Sequence, residues 1–178
     1  MFNKALLLLP FAVGVMSVTL DVSFFSGASC TGVGMGCTDI ESDACCADYN
    51  TSAAWQSLST SSWEGIASNT YVHAMAGKTC SVNVGTVSSA GACFDSGSAT
   101  GITSAIFYNG AGTALKKRDD DAECTPHPAD FYFYSPGDGF KYIVDATNPV
   151  HSTNINSATS SEEVEQYILA NFEKKVAA

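Results

Sequence analysis

The chain has 178 residues, eight Lys and Arg against eighteen Asp and Glu, a formal charge of −10 and 46% hydrophobic residues. This length suits one ordinary domain or a small domain with an appendage. With no basic stripe to displace counterions from phosphates, the acidic balance argues against nucleic acid and anionic lipid as partners. Seven cysteines predict disulfide bracing with one thiol left over.

Residues 1–17 have the layout of a secretory signal peptide. Lys4 is followed by an apolar run from Ala5 to Val15, with small residues at Gly14 and Ser17 and cleavage expected after Ser17. The run falls short of the ~20 residues that span a bilayer, so no membrane span is expected once the signal is removed, and the mature protein is expected to be extracellular. A β domain is expected over 18–115. Val18, Leu20, Val22 and Phe24 alternate with Thr19, Asp21 and Ser23, placing apolar residues on one face of a strand. The Gly-rich stretch Gly32-Val33-Gly34-Met35-Gly36 lies between cysteines and reads as a loop, and Asn50-Thr51-Ser52 is an N-glycosylation sequon that makes Asn50 a modification candidate. Further strands are expected at Tyr71 to Ala76, Ser81 to Val87 and Ile102 to Tyr108, bounded by Gly, Ser, Asn and Asp clusters.

Two of these segments resemble each other. At an offset of fifty residues Val22 falls on Val72, Gly27 on Gly77 and Cys30 on Cys80; at forty-seven, Cys46 falls on Cys93 and Trp55-Gln56-Ser57-Leu58 on Ile102-Thr103-Ser104-Ala105. The pattern predicts a duplicated unit, with glycine in both turns for access to positive φ.

Beyond Leu115 the run Lys116-Lys117-Arg118-Asp119-Asp120-Asp121 marks a charged linker over 116–123, where Lys117-Arg118 is a dibasic processing candidate. The remaining segment, 124–178, is expected to form a hairpin and one helix. Phe131 to Ser135 and Phe140 to Val144 flank the turn Pro136-Gly137-Asp138-Gly139. Ser160 and Glu163 form a capping-box pattern, Val164, Tyr167, Ile168 and Phe172 share a helical face, and Lys174 and Lys175 suit the helix C-terminus.

Phe24-Phe25-Ser26-Gly27, Cys30-Thr31-Gly32, Cys45-Cys46, Ser57, Gly77, Cys80, Cys93 and Thr103 to Tyr108 together resemble the fungal secreted proteins of β/γ-crystallin-like type. The resemblance covers roughly Val18 to Leu115 and implies a Greek-key β-sandwich of crystallin-like type. Met75 stands where the first repeat has an aromatic residue. Calcium-binding members carry a short Asn/Asp-rich motif ending in Ser; it has no counterpart here, so calcium is not expected.

Cys30, Cys37, Cys45, Cys46, Cys80 and Cys93 precede the dibasic pair and form an even set; Cys124 follows it as the unpaired candidate. Adjacent Cys45 and Cys46 are poorly placed to bridge each other. Two independently braced repeats would pair Cys80 with Cys93 and Cys30 with Cys46, leaving Cys37 for Cys45, with exchange of the Cys45 and Cys46 partners left open. The spacing is not that of a zinc knuckle, and thiols oxidise outside the cell; no metal or cofactor is expected. His73 with Asp95 and a serine permits a hydrolytic triad on paper, and Cys124 lies near His127 in the sequence, but no catalytic motif is present. The expected function is non-catalytic interaction with a cell-surface or cell-wall target. By the resemblance it is effector-like or toxin-like, with Trp55, Trp63, Tyr108 and the Gly32 to Gly36 loop as contact candidates. A small secreted hydrolase and a structural cell-wall protein are the alternatives.

Overall fold

The computed structural model describes residues 19–42, 44–47, 54–61, 70–77, 79–97, 101–108 and 125–177. The expected signal peptide, Asn50, Trp63, the linker with Lys117 and Arg118, and Cys124 lie outside these residues. Strands β1 (Thr19–Phe25), β2 (Gly32–Glu41), β3 (Ala44–Ala47), β4 (Ser57–Ser61), β5 (Tyr71–Ala76), β6 (Val82–Val87), β7 (Cys93–Asp95) and β8 (Ser104–Tyr108) are followed by β9 (Thr125–His127), β10 (Phe131–Ser135) and β11 (Phe140–Asp145). Two helices, α1 (Pro149–Ser157) and α2 (Ser161–Asn171), precede β12 (Lys174–Ala177). The protein is mainly β, and no described helix is long and apolar enough to cross a membrane.

The strands form two sheets in the orders β12-β11-β10-β2-β1-β4-β7 and β6-β5-β8-β3-β9. Leu20, Val22, Phe24, Met35 and Leu58 of the first sheet share one core with Val72, Ala74, Val87, Ala105 and Phe107 of the second. Burial of these side chains is what holds the sheets face to face, at roughly 1.5–3 kcal/mol for each large one.

The arrangement of β5–β8 repeats that of β1–β4. β1 lies between β2 and β4, and β5 lies between β6 and β8. Val22 faces Thr60, and Val72 faces Phe107 at the corresponding forty-seven-residue offset. The third strand of each set crosses to the other sheet: β3 pairs with β8, and β7 pairs with β4. Trp55 and its counterpart Ile102 bridge each other, with N–H···O distances of 2.7 and 2.8 Å in the two directions, so an approximate two-fold axis runs between them.

Three readings from the sequence are corrected. Gly32 to Gly36 is no loop but the first half of β2, the longest strand. A Cβ at Gly34 would lie 2.0 Å from the Phe24 carbonyl oxygen and 2.4 Å from Phe133 Cζ, and one at Gly36 would lie 2.1 Å from Phe131 Cζ. These glycines are the floor under aromatic rings of β10. Among the described residues there are two α-helices where one is expected: Asn148 caps α1 by accepting from Val150 N–H at 3.0 Å, with Pro149 in its first turn. Lys174 and Lys175 lie in β12 instead of ending a helix.

The C-terminal segment builds onto both sheets. β9 runs parallel to β3, and β10 pairs with β2 from Phe131↔Gly36 to Ser135↔Gly32. The Asp130 carboxylate fixes the junction between β9 and β10, accepting from Thr38 N–H at 2.6 Å and approaching His127 Nε2 at 3.2 Å. Three of the four residues expected on the α2 face are there, Ile168 fully buried with Val164 and Tyr167 packed beside it; Phe172 is not, because the helix ends at Asn171 and Phe172 turns out exposed in extended conformation. Ser160 caps the helix by accepting from Glu163 N–H, and the Glu163 carboxylate turns back to Thr159 N–H at 2.7 Å, which lowers its pKa.

Candidate functional site

Each half presents a turn that its own fourth strand pins. After β1 the chain bends through Ser26 to Thr31, with Gly27 N–H donating to Thr31 O at 3.0 Å. Ser57 at the start of β4 donates to Gly27 O at 2.6 Å and accepts from Cys30 N–H at 3.1 Å. After β5, Ser104 donates to Gly77 O at the same 2.6 Å. Gly77 has the positive φ expected of it (+90°), whereas Gly27 does not (−101°). What Gly27 supplies is room, since a Cβ there would stand 2.8 Å from Thr31 O.

The disulfides overturn the pairing expected of two independently braced repeats, and of the alternatives left open by exchanging the Cys45 and Cys46 partners only Cys37–Cys46 is formed. The bridges are Cys30–Cys93, Cys37–Cys46 and Cys45–Cys80; neither Cys80–Cys93, Cys30–Cys46 nor Cys37–Cys45 forms. The physical reason is the strand exchange. Cys93 on β7 stands opposite Ser59, and Cys45 on β3 stands opposite Ile106, which is Ser59's counterpart forty-seven residues on. Cys45, not Cys46, is therefore the equivalent of Cys93, and each turn cysteine reaches the strand lent by the other half. Two bridges cross-link the halves reciprocally; the third, Cys37–Cys46, lies within the first half and is fully buried.

The three histidines occupy separate places. His73 on β5 lies beside Tyr108, ring centroids 5.5 Å apart. Its Nδ1 is 2.9 Å from Asn83 Nδ2 and 3.1 Å from Thr86 Oγ1. Asn83 Oδ1 accepts from Gly85 N–H, which leaves Asn83 to donate through its NH₂. Nδ1 of His73 is therefore an acceptor and the neutral ring carries its proton on Nε2. Burial lowers its pKa, consistent with this neutral form. Asp95, the paper partner of His73, is on β7 in the other sheet and accepts from Ser29 N–H at 2.8 Å; the structure does not bring the two together. His127 belongs to the Asp130 anchor. His151 is buried between Tyr167, whose hydroxyl is 2.9 Å from Nδ1, and Glu173. Among the described residues no cluster of three or more His, Cys, Asp or Glu is arranged to hold a metal ion.

Of the contact candidates, Trp55 is part of the core, 9% exposed, and its Nε1 has no hydrogen-bond partner among the described residues. The Gly32 to Gly36 segment is largely covered. Tyr108 is half-buried over Met75, Ile106 and the Cys45–Cys80 bridge. The sequence reading missed a different surface at the far end of the first sheet. There Phe140 and Phe172 are 41% and 42% exposed, the Phe172 ring stands edge-on to Tyr142 at 5.3 Å, and Lys175 Nζ lies 4.1 Å from the Phe140 centroid and 4.9 Å from that of Tyr142. Leu169 is exposed on α2 nearby in sequence. The alternation of β11 and the apolar residue just past α2 were the available signal.

Residues 21–130 match the ARB_05566_N family, described as an N-terminal domain. The chain belongs to this family. The ARB_05566_N domain therefore includes the strand exchange, all three bridges and β9, and it ends at Asp130, the residue that anchors the β9–β10 junction on Thr38. β10–β12, both helices and the aromatic surface lie beyond the match. No curated protein and no solved structure matches the chain.

Proposed function

We propose that the chain is a secreted, non-catalytic interaction protein, effector-like or toxin-like, that acts on a cell-surface or cell-wall target outside the cell. It is built on a duplicated Greek-key sandwich of crystallin-like type. The fold reading is supported by the reciprocal loan of β3 and β7 and by the paired turn serines Ser57 and Ser104. The extracellular reading is supported by three bridges in so short a chain, which suit an oxidising compartment.

The observation that carries the interaction reading is the exposed aromatic end formed by Phe140, Tyr142 and Phe172 with Lys175 laid across it. Exposed aromatic rings clustered on rigid elements are the side chains that anchor interfaces. The described histidines meanwhile serve as local ties.

The test is sedimentation of purified protein with intact cells and with isolated wall fractions. Wild type should be retained, and a Phe140→Ala, Phe172→Ala chain should lose about ten-fold in affinity with its unfolding temperature unchanged. Turnover of polysaccharide, lipid or peptide substrates that disappears in His73→Ala would replace this reading with the hydrolase.

A further inference from the structure

We infer that Cys30–Cys93 is a cleavable redox site: an external dithiol opens this bridge ahead of the other two, and opening it frees the turn at 27–31 from strand β7. This stands apart from the proposed target.

Access separates the three bridges. Cys37, Cys45 and Cys46 are fully buried and Cys80 is nearly so, whereas Cys93 is exposed and Cys30 half-buried. An attacking thiolate must reach a sulfur, so exposure ranks the bridges before any other factor enters.

Backbone conformation ranks them in the same order. Ser29 and Cys30 are consecutive non-glycine residues in the left-handed region, both at φ +56°. L-residues adopt that region reluctantly, and mostly one at a time. The turn is held there by Ser29 N–H to Asp95 Oδ1, by Cys30 N–H to Ser57 Oγ, and by the bridge itself. Among the described residues of the corresponding turn in the second half, one is of this kind, Cys80 at φ +52°, tied to a cysteine with no solvent exposure. Exposed or strained disulfides are the more oxidising and labile ones. Two of the tethers, the bridge and Asp95, come from β7, a three-residue strand at the end of its sheet.

The reaction balances with a dithiol as the reductant. One thiolate of the dithiol attacks Cys93 Sγ, the Sγ–Sγ bond breaks, and Cys30 leaves as a thiolate that takes up a proton. The second thiol of the reagent then attacks its own sulfur in the mixed disulfide, closing the oxidised reagent and releasing Cys93, which is protonated in turn. The protein gains two electrons and two protons, and the dithiol loses the same. The freed turn relaxes, β7 separates from β4, and the Ser57–Ser61 edge is uncovered.

The test uses the full secreted chain under native conditions. Any free thiol is first blocked with N-ethylmaleimide; dithiothreitol is then added, and timed aliquots are quenched with iodoacetamide for peptide mass mapping. Cys30 and Cys93 should be alkylated about ten-fold faster than the other four bridge cysteines. Hydrogen exchange should rise only around 26–32, 57–61 and 93–96. A Cys30→Ser, Cys93→Ser chain should keep the other two bridges and reproduce that exchange pattern. Alkylation of all six cysteines together, earlier labelling of Cys45 and Cys80, or loss of both sheets in the double variant would overturn the assignment.

Discussion

Replacing Ser57 by alanine, and separately Ser104, probes how far the two halves are equivalent and where they part. The Ser57 hydroxyl satisfies two backbone groups, donating to Gly27 O at 2.6 Å and accepting from Cys30 N–H at 3.1 Å. The Ser104 hydroxyl satisfies one, Gly77 O at 2.6 Å; the N–H of Cys80 is held by that same carbonyl at 3.2 Å. Both serines are fully buried, so water does not readily replace either hydroxyl. An unsatisfied buried group costs about 1–3 kcal/mol, and the low end applies because the turns themselves are partly solvated. Ser57→Ala therefore costs about 2 kcal/mol and Ser104→Ala about 1 kcal/mol, the latter leaving a carbonyl that keeps its Cys80 donor. For a domain of this size each kcal/mol lowers Tm by about 2–4 °C. Thermal unfolding followed by near-ultraviolet circular dichroism, with the bridges oxidised, should give losses of about 6 °C and about 3 °C. Equal losses, or a larger loss in Ser104→Ala, would refute the assignment of two groups to Ser57 and one to Ser104.

Burial disfavours the charged form of His73 and holds its pKa below 6.5. Between the folded and unfolded pKa values the unfolded chain binds the proton that the folded chain refuses. The His73 contribution is therefore fully present above pH 6.5 and is lost as the pH falls from there toward the folded value. Urea unfolding at pH 7.5 and pH 5 should show a smaller acid-induced loss for His73→Gln than for wild type; an unchanged difference would remove His73 from the account. Gly34→Ala should destabilise by about 3 kcal/mol, the severe end for overpacking, because its Cβ would stand 2.0 Å from the backbone carbonyl oxygen of Phe24 and 2.4 Å from the ring of the fully buried Phe133. A urea midpoint near that of wild type would show that β10 does not press on β2 as described.

What the sequence displays of this fold is governed by how local each cause is. The alternation from Val18 to Phe24, the Pro136 to Gly139 turn and the Ser160 cap each act within a few residues, and each marks an element within a residue or two of its place. β2 hides because its small residues answer to a remote partner. Gly34 and Gly36 are glycine on account of Phe133 and Phe131, about a hundred residues away, and locally they look like a loop. α1 carries almost no apolar periodicity and buries only His151 and Ile155, so its signal is confined to Asn148-Pro149. Trp55 lies in the core for a related reason: it packs beside the approximate two-fold axis, and a single chain read in order does not show that Ile102 faces it.

The sulfur pairing makes the same point more sharply, because the repeat itself was legible. Offsets of fifty and forty-seven residues align Val22 with Val72 and Ser57 with Ser104 in their pairing registers. A repeat does not state whether its copies are closed units. If β3 and β7 stayed in their own halves, Cys30 would find a partner among residues 44–47 and Cys80 would find Cys93. Because each of these strands pairs instead with the far half, the bridge from each turn must cross, and the same local motif yields the opposite connectivity. A cut between the halves would therefore leave them joined by two bridges, Cys30–Cys93 and Cys45–Cys80, and by the shared core. The family match over 21–130 spans all of these elements together. Neither half can bury its inner face without the other's third strand, so the folding unit is the exchanged pair.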